Sequence, residues 1–430
     1  MKQRTWLTIL IAVAVVFVAF VLFTIARRYS VTRPSPASDA VLQSSPISGK
    51  KLTPASTAND LLDSGAWNTY HGDSALRGVA TSEWTPPLSV RWRLKAGGPV
   101  RQTPVVCNDR VFVATARGEI LSADLHGNLA WSRELQKGVA PDGHPMRHRI
   151  DAPIACFDDL LLVGTADGTL FALETHTGEE RWQHKLEGPI LGTPNYRTAD
   201  PAGSRASGSV YVLQQSDGVL VCLDAATGRE RWRSEAVDRS DASPSVSDGA
   251  VVFGSCAAAL HVFDSRSGDH LRDIEIDPDS QVAGGVALAG GRVVSGSRSG
   301  KILEADIASG ETIWVTEAGE AEIFATPAVT ADWVVAADYD GIVYGLDRET
   351  GEVRWKFDTE GMPLSPVIAG DKVIVSADGT LFMLALDDGA LLWSLSIADE
   401  ITSPAVVQRH ILAGSEDGTV VALTKDGEES

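Results

Sequence analysis

A pattern of four short strands recurs along most of the chain, and this pattern limits the possible folds more than any other feature. Its cleanest copy extends from Ile323 to Trp355. Thr326-Pro327 opens a strand at a position where a missing backbone N–H is tolerated. Asp340-Gly341 predicts a hairpin, because glycine accepts the positive φ that a tight turn requires. A second turn at Thr350-Gly351 leads to the last strand, so one copy predicts a four-stranded antiparallel meander.

Eight copies of the pattern have a glycine at the second turn, and they follow one another at spacings of 38 to 51 residues. These glycines are Gly127, Gly178, Gly228, Gly268, Gly310, Gly351, Gly389 and Gly427. Four residues later, six copies have a tryptophan: Trp131, Trp182, Trp232, Trp314, Trp355 and Trp393. Arg272 takes that place in the fourth copy. Repeats of this length with four strands each are typical of a β-propeller, so we predict an all-β fold with eight blades.

The eighth copy lacks its tryptophan, and a suitable strand lies at the other end of the repeat region. The segment Leu88–Leu94 contains Trp92, which lies 39 residues before Trp131. We expect this N-terminal strand to pair with the last blade as its outer strand and to close the ring. Closure leaves only short, protected strand edges.

Composition divides the chain into three segments. Residues 1–28 include the almost wholly apolar run Trp6–Ala26, which as a helix spans a hydrocarbon core of about 30 Å. We expect one N-terminal transmembrane helix there, and a cleaved signal peptide is the alternative. Residues 29–62 are rich in Ser, Pro, Ala and Thr, which predicts a flexible tether. Residues 63–430 contain the predicted propeller.

Charge and cysteine content exclude two classes of protein. The formal net charge of −20 argues against a nucleic-acid partner, which would require a basic face. Four cysteines, Cys107, Cys156, Cys222 and Cys256, are too few for a disulfide scaffold. We expect them to be small buried apolar residues. A bridge between Cys107 and Cys156, which follow strand-opening prolines in neighbouring blades, is the alternative.

Three copies of the second turn, at 177–182, 227–232 and 350–355, read Thr-Gly, two further residues, then Arg-Trp. They resemble the tryptophan-docking repeat of PQQ-like β-propellers, and residues 67–73 resemble the lead-in before the first blade of that family. The resemblance covers about residues 67–430 and is closest to the non-catalytic group of the outer-membrane assembly factor BamB. It implies a propeller on the exported, periplasmic side of a membrane. It also implies a structural docking role for Trp92, Trp131, Trp182, Trp232, Trp314, Trp355 and Trp393.

Some members of the same family are quinoprotein dehydrogenases, which need a catalytic carboxylate, a calcium site and often an adjacent Cys-Cys pair beneath the quinone. This sequence has no Cys-Cys pair. Hairpin geometry explains the Asp-Gly turns without calcium. Pro145 separates His144 from His148, which argues against a helical pair of metal ligands. We therefore predict no catalytic, cofactor-binding or metal-binding residues and no cofactor.

Strand alternation predicts which loops share a face. The connectors between blades lie with the Asp-Gly turns on one face, and the Thr-Gly turns lie on the other. Charged residues of three connectors therefore crowd one rim: Arg147, His148, Arg149, Asp238, Arg239, Asp277 and Asp279. Charge pairs at an interface act mainly on specificity and association rate. We predict that this rim binds partner proteins.

The sequence thus favours a monomeric, non-catalytic, membrane-tethered scaffold that binds other envelope proteins through its connector loops. Two alternatives stay open, a ligand-binding or sensory propeller that uses the axial funnel, and a PQQ-dependent dehydrogenase. Ser or Thr residues that precede the strand-opening prolines are expected to form hydrogen bonds near the axis. Blades four and five depart from the pattern, at Ala257-Ala258, Arg272 and Gly284-Gly285, by drift or because a partner uses this sector.

Overall fold

The structure is a computed structural model, and it describes residues 65–198, 208–247, 249–276, 281–282 and 284–426. These residues form strands and turns, and none of them belongs to a helix long and apolar enough to cross a membrane. The predicted transmembrane helix within residues 1–28 and the predicted tether at residues 29–62 lie outside the described residues.

The strands of the first half of the ring follow the repeat. Two strands precede it, β1 (Val79–Ala80) and β2 (Leu88–Lys95). Blade one contains β3 (Val105–Cys107), β4 (Arg110–Ala114), β5 (Glu119–Asp124) and β6 (Leu129–Glu134). A separate hairpin of β7 (Gln136–Val139) and β8 (Pro145–Arg147) comes next. Blade two contains β9 (Ala155–Phe157), β10 (Leu160–Gly164), β11 (Thr169–Glu174) and β12 (Glu180–Lys185). Blade three contains β13 (Asn195–Arg197), β14 (Ser209–Gln214), β15 (Val219–Asp224) and β16 (Glu230–Arg233). Blade four contains β17 (Ser245–Val246), β18 (Ala250–Gly254), β19 (Ala259–Asp264) and β20 (His270–Glu275).

The second half continues in the same order. Blade five contains β21 (Ala287–Ala289), β22 (Arg292–Gly296), β23 (Lys301–Asp306) and β24 (Thr312–Glu317). Blade six contains β25 (Ala328–Val329), β26 (Trp333–Ala337), β27 (Ile342–Asp347) and β28 (Val353–Asp358). Blade seven contains β29 (Val367–Ala369), β30 (Lys372–Ala377), β31 (Thr380–Ala385) and β32 (Leu391–Ser396). The last three strands are β33 (Ala405–Val407), β34 (His410–Gly414) and β35 (Thr419–Lys425).

Each blade is an antiparallel sheet whose four repeat strands pair in order, which confirms the predicted eight-bladed, all-β propeller for the described residues. Blade eight combines the last three strands with β2, because β2 pairs antiparallel with β35. Trp92 lies opposite Ala422 in this pairing. The short strand β1 adds in parallel to the innermost strand of blade seven.

Every outer strand carries a bulge just before the docking position. In blade two, Trp182 lies opposite Ala172, but the next residue of β11, Leu173, lies opposite Glu180, so Arg181 is the extra residue. The same shift occurs in the outer pair of all eight blades. A bulge bends the strand and re-aims the side chains around it. It therefore changes which residues of the outer strand share a face.

The outer-strand tryptophans pack against the next blade along the ring. A Cβ added at Gly228 would lie 2.6 Å from the indole of Trp182, so only glycine leaves room for the ring there. Five indole N–H groups also donate to a backbone carbonyl of the next blade: Trp92 to Leu125, Trp131 to Thr175, Trp182 to Ala225, Trp314 to Arg348 and Trp355 to Leu386. Five of the junctions between neighbouring blades thus combine stacking of the indole with a directional hydrogen bond.

Apolar side chains fill the spaces between neighbouring blades. One cluster contains Phe112 of blade one and Leu161 of blade two. Another contains Leu162 of blade two and Val212 of blade three. Apolar side chains along each strand therefore point alternately to the blade on either side. This explains why the second and third strands of each blade are buried on both faces.

Residues 67–80 lie along the innermost strands around the axis, and we call this segment the hub. Its backbone carbonyl oxygens accept hydrogen bonds from amides in blades one, two, four, five, six and seven: those of Val106, Cys156, Val246, Leu288, Val329 and Ile368. In blade three, the side-chain amide of Asn195 donates to the carbonyl of Ser74 at 2.7 Å. The hub thus joins seven blades by hydrogen bonds. The sequence predicts a lead-in here but not this role.

Cys107 of β3 and Cys156 of β9 form a disulfide, with their Cα atoms 6.2 Å apart. It joins the innermost strands of blades one and two. The prediction that these two residues are unbridged apolar residues is therefore wrong, and the alternative of an inter-blade bridge is correct. Cys222 and Cys256 are free thiols; Cys222 is buried, as predicted, whereas Cys256 is partly exposed.

Candidate functional site

Two sets of loops form one face of the ring, which we call the connector face. They are the connectors that follow each outer strand and the turns between the second and third strands. Backbone hydrogen bonds join the two sets: Leu135 to Gly118, Leu186 to Gly168, Ala318 to Gly300, Thr359 to Gly341 and Ile397 to Gly379. The shared face follows from strand alternation, and the predicted partner-binding residues that the structure describes all lie in its connectors.

The basic loop after blade one forms the β7–β8 hairpin, whose strands are exposed along their whole length. Arg147 pairs with Glu134, and Arg149 pairs with Asp151 at 2.7 Å. Both arginine side chains keep substantial exposure, and Arg149 keeps the most at 69%. Surface ion pairs of this kind contribute little to stability, about 0–1 kcal/mol. Their charge therefore remains available to a partner.

His148 differs from its neighbours because its side chain is buried, with 8% of the residue exposed. Its Nδ1 donates to Asp167 at 3.0 Å, and Lys137 of the hairpin pairs with the same carboxylate at 3.0 Å. Burial alone would raise the pKa of Asp167, but hydrogen bonds from Thr165, Lys137 and His148 outweigh it and hold the pKa well below its ordinary value. His148 therefore fixes the base of the hairpin and is not an exposed contact.

The second predicted group lies in the connector after blade three. Arg239 is exposed and pairs with Asp241 at 3.0 Å, while its amide donates to the side chain of Asp238 at 2.7 Å. Its carbonyl accepts from Cys256 in the neighbouring blade, which places this loop on the connector face. The remaining two predicted residues, Asp277 and Asp279, lie outside the described residues.

Exposed apolar side chains on the same face are the feature that the sequence prediction missed. Val139 and Met146 of the hairpin are 67% and 41% exposed, and Tyr339 and Met362 of blades six and seven are 47% and 44% exposed. Phe324 stacks on Tyr339, with ring centroids 4.6 Å apart. No period in the sequence marks these residues, because they lie in connectors and turns outside the repeated strands. The face therefore combines apolar and basic side chains, as protein interfaces do.

Comparison with known proteins identifies the family to which this sequence is similar. The family model described as outer membrane protein assembly factor BamB matches residues 88–273 and 260–430. The protein of that name from Xanthomonas campestris pv. campestris is 28% identical over 340 residues, which cover 75% of this chain and 81% of that protein. The crystal structure of BamB from Moraxella catarrhalis aligns with a TM-score of 0.66 at 21% identity, covering 80% of this chain and 100% of that one.

The same fold occurs in enzymes. The quinohemoprotein alcohol dehydrogenase from Comamonas testosteroni aligns with a TM-score of 0.68 at 14% identity, covering 87% of this chain and 82% of that one. At such identities, both structural matches show a shared fold only.

Proposed function

Because the chain belongs to the family of the outer membrane protein assembly factor BamB, we propose that it is a non-catalytic scaffold in the assembly of outer-membrane proteins. In this proposal a single ring holds a partner protein of the cell envelope on its connector face. The observation that carries the proposal is the composition of that face, where Val139 and Met146 project beside Arg147 and Arg149 in an otherwise acidic chain.

The connector face defines the chemistry of the partner. Exposed Val139, Met146 and Tyr339 would be covered by apolar side chains, which supply most of the binding free energy at an interface. Arg149 and Arg239 would face acidic groups at the rim, where charges act mainly on association rate and specificity. The partner surface is therefore expected to combine apolar side chains with acidic groups.

The axial-funnel alternative is less well supported, because the hub occupies the space along the innermost strands. The residues before the strand-opening prolines are also engaged with one another. The amide of Thr193 donates to Ser243 Oγ at 2.9 Å, and the amide of Thr326 donates to Ser365 Oγ at 3.0 Å. The hydroxyl of Tyr70 in the hub lies 2.6 Å from that of Thr326. These groups serve the ring and the hub rather than a ligand.

The fold is compatible with the dehydrogenase alternative, but the cysteines of this chain are not. The family resemblance implies an adjacent Cys-Cys pair for a dehydrogenase, and the sequence has none. The two cysteines near the axis, Cys107 and Cys156, come from different blades and bridge to each other. We therefore assign the chain no catalytic role. Alcohol oxidation with an artificial acceptor, after addition of quinone and calcium, would contradict this assignment.

The cellular location proposed here is the periplasmic side of the envelope. A structural disulfide is typical of oxidising compartments such as the bacterial periplasm. We propose that residues 1–28 anchor the chain in a membrane and that residues 29–62 tether the propeller to it. Carbonate extraction should leave the full chain in the membrane fraction. Release into the supernatant, or a mature N-terminus after Ala26, would contradict the anchor.

We also propose that β2 holds the ring closed. Its seven paired positions with β35 join the N-terminal and C-terminal ends of the repeat region, and Trp92 docks on blade one. Deletion of residues 88–94 should therefore lower the melting temperature far more than the loss of an exposed loop. A truncated chain that melts like the parent would show that the ring closes without β2.

Site-specific cross-linking in cells tests the proposed function. A photo-reactive amino acid is placed at Val139 on the connector face, and at Arg229 on the opposite face as the matched control. We expect an envelope protein to cross-link at position 139 and not at 229, and loss of the chain to lower the amount of folded outer-membrane proteins. Equal cross-linking at both positions, or unchanged outer-membrane proteins, would contradict the proposal.

A further inference from the structure

Three side chains with metal-binding chemistry meet on the outer strands of blade four. His261 lies on β19, directly opposite Asp273 on β20, and His270 lies opposite Phe263. One carboxylate oxygen of Asp273 lies 2.6 Å from His261 Nδ1 and 2.7 Å from His270 Nε2. The three ligand atoms all lie within 4.8 Å of one another.

The bulge in the outer strand creates this cluster. Residues 270 and 273 are three apart, so in a regular strand they would point to opposite faces of the sheet. The bulge between Val262 and Phe263 of the partner strand leaves Leu271 as the extra residue and returns both side chains to one face. Strand alternation in the sequence therefore does not predict that these residues meet.

No other blade places a histidine at either of these two positions. The residues that correspond to His261, each third in its strand, are apolar or aromatic: Leu121, Phe171, Val221, Leu303, Tyr344, Phe382 and Val421. The residues that correspond to His270 are Leu129, Glu180, Glu230, Thr312, Val353, Leu391 and Val90. The repeat pattern therefore does not require histidine at either position.

The surroundings hold His261 in a state suited to ligation. The ring is 3% exposed, and its Nε2 lies 2.7 Å from the buried hydroxyl of Ser255. In the metal-free chain Nδ1–H donates to the Asp273 carboxylate and Nε2 accepts from Ser255. A metal ion would take the place of the Nδ1 proton, and Nε2–H would then donate to the Ser255 oxygen, as metal-ligating histidines do when their other nitrogen is held. Burial lowers the pKa of His261, and its hydrogen bond with Asp273 opposes that shift.

A cavity of about 480 Å³ borders the cluster and supplies space for further ligands. Its lining includes Glu235 from the end of blade three and Glu275, which lies two residues beyond Asp273 on the same strand face. Ala257 and Ala258 border it where five other blades have an Asp-Gly turn. The small side chains of blade four thus leave the metal-binding face open at the connector side.

The same residues do not form the active site of a hydrolase. Ser255, His261 and Asp273 form a chain of hydrogen bonds like that of a Ser-His-Asp triad. However, Ser255 is fully buried, and its hydroxyl accepts from the amide of Ala257 in the turn. Ser415 of blade eight caps the equivalent turn in a similar way. The hydroxyl therefore belongs to the turn and cannot reach a substrate.

We propose that His261, His270 and Asp273 bind one divalent transition-metal ion of the Zn²⁺ type, with the remaining coordination directed toward the cavity. Two imidazole nitrogens and one carboxylate oxygen are a ligand set that Zn²⁺ accepts. Tetrahedral ligation at about 2.0–2.1 Å requires the Asp273 oxygen to lie about 3.3 Å from each nitrogen, against 2.6 Å and 2.7 Å without metal. His270 and Asp273 are exposed on the outer strand, so they can move apart by this small amount around the fixed ring of His261.

Titration of the metal-depleted full chain with zinc chloride tests the proposal. The chain is purified in detergent without a polyhistidine tag, and binding is measured by calorimetry. We expect one Zn²⁺ per chain and a higher melting temperature with the metal, because a ligand that binds only the folded state stabilises it. The variants His270→Gln and Asp273→Asn should each weaken binding at least about tenfold. His270→Gln alters an exposed side chain, so its melting without metal should match the parent.

Control variants separate this site from other zinc ligands. His144→Gln, in the exposed β7–β8 hairpin, and Cys256→Ser, beside the cavity, should bind zinc like the parent. Co²⁺ in place of Zn²⁺ should give visible bands without a thiolate charge-transfer band in the near ultraviolet. A parent chain that binds no stoichiometric zinc, ligand variants that bind as tightly as the parent, or binding lost only in Cys256→Ser would overturn the proposal.

Discussion

At the residue scale, one contact repeated between neighbouring blades holds the ring together. A glycine at the second turn leaves room for the indole of the preceding blade, and the indole N–H donates to a carbonyl two or three residues before that glycine, as in Trp182 with Ala225 and Gly228. Burial of about 200 Å² of indole stabilises the fold by at most about 5 kcal/mol. The resemblance to the tryptophan-docking repeat implies the role of the indole, but its glycine partner lies in the next copy of the repeat, as Gly228 does for Trp182.

Trp182→Ala should lower the free energy of unfolding by about 3–5 kcal/mol, because it removes a large buried ring and leaves a cavity against blade three. Urea denaturation followed by circular dichroism measures the change. Leu129→Ala is the control, since its side chain is 52% exposed on an outer strand; its effect should stay within about 0.5 kcal/mol. Equal effects of the two substitutions would mean that the indole contact does not stabilise the ring.

Other residue-scale features could not be read from the sequence. The hub is held mainly by backbone carbonyls, which leave no pattern of side-chain types along the chain. Val139 and Met146 are exposed because they lie in a hairpin outside the repeat, and isolated apolar residues in a connector do not reveal their exposure. His148 was grouped with two exposed arginines because it lies between them, although its side chain turns inward to Asp167.

At the element scale, the blades were predictable and their irregularities were not. Hairpin signals and strand-opening prolines give the order of the four strands in each blade. The bulge in every outer strand gives no such signal, since the extra residue is Arg181 in one blade and Leu271 in another. This irregularity decides which side chains of blade four meet. The proposed metal-binding cluster could therefore be recognised only from the structure. The departure of blade four from the repeat pattern, in contrast, is evident in the sequence.

The disulfide should stabilise the junction of blades one and two. The cysteines are 49 residues apart, and a cross-link that closes a loop of that length stabilises by up to about 4 kcal/mol through the unfolded chain. The double variant Cys107→Ala with Cys156→Ala should melt at a lower temperature than the parent. Dithiothreitol should lower the melting temperature of the parent and leave that of the double variant unchanged. A parent insensitive to the reductant would indicate that the bridge contributes nothing.

At the scale of the whole molecule, the repeat constrains the two faces of the ring to different degrees. The opposite face carries the second turns, whose glycines receive the docking tryptophans and whose residues are therefore constrained by the ring. The connector face has fewer such constraints, so its loops vary in length and carry the hairpin, the exposed apolar residues and the mouth of the blade-four cavity. The residues proposed to bind a partner therefore lie where the repeat constrains the sequence least.

Charge reversal on each face distinguishes a specific docking surface from a general effect of charge. Arg149→Glu with Arg239→Glu changes two exposed connector residues whose ion pairs, with Asp151 and Asp241, lie within their own loops. Arg229→Glu with Arg266→Glu makes the same change on exposed second turns of the opposite face. Both pairs shift the formal net charge from −20 to −24, since each substitution subtracts two from the value in the sequence.

The connector pair should slow association with the cross-linked partner by about tenfold or more at low salt, because charges at a rim act mainly on the association rate. The difference from the parent should shrink as salt is raised, since screening weakens exposed charges. Surface-plasmon resonance measures both rates, and the melting temperature of either double variant should equal that of the parent. If the opposite-face pair slows association equally, net charge and not the connector face controls binding.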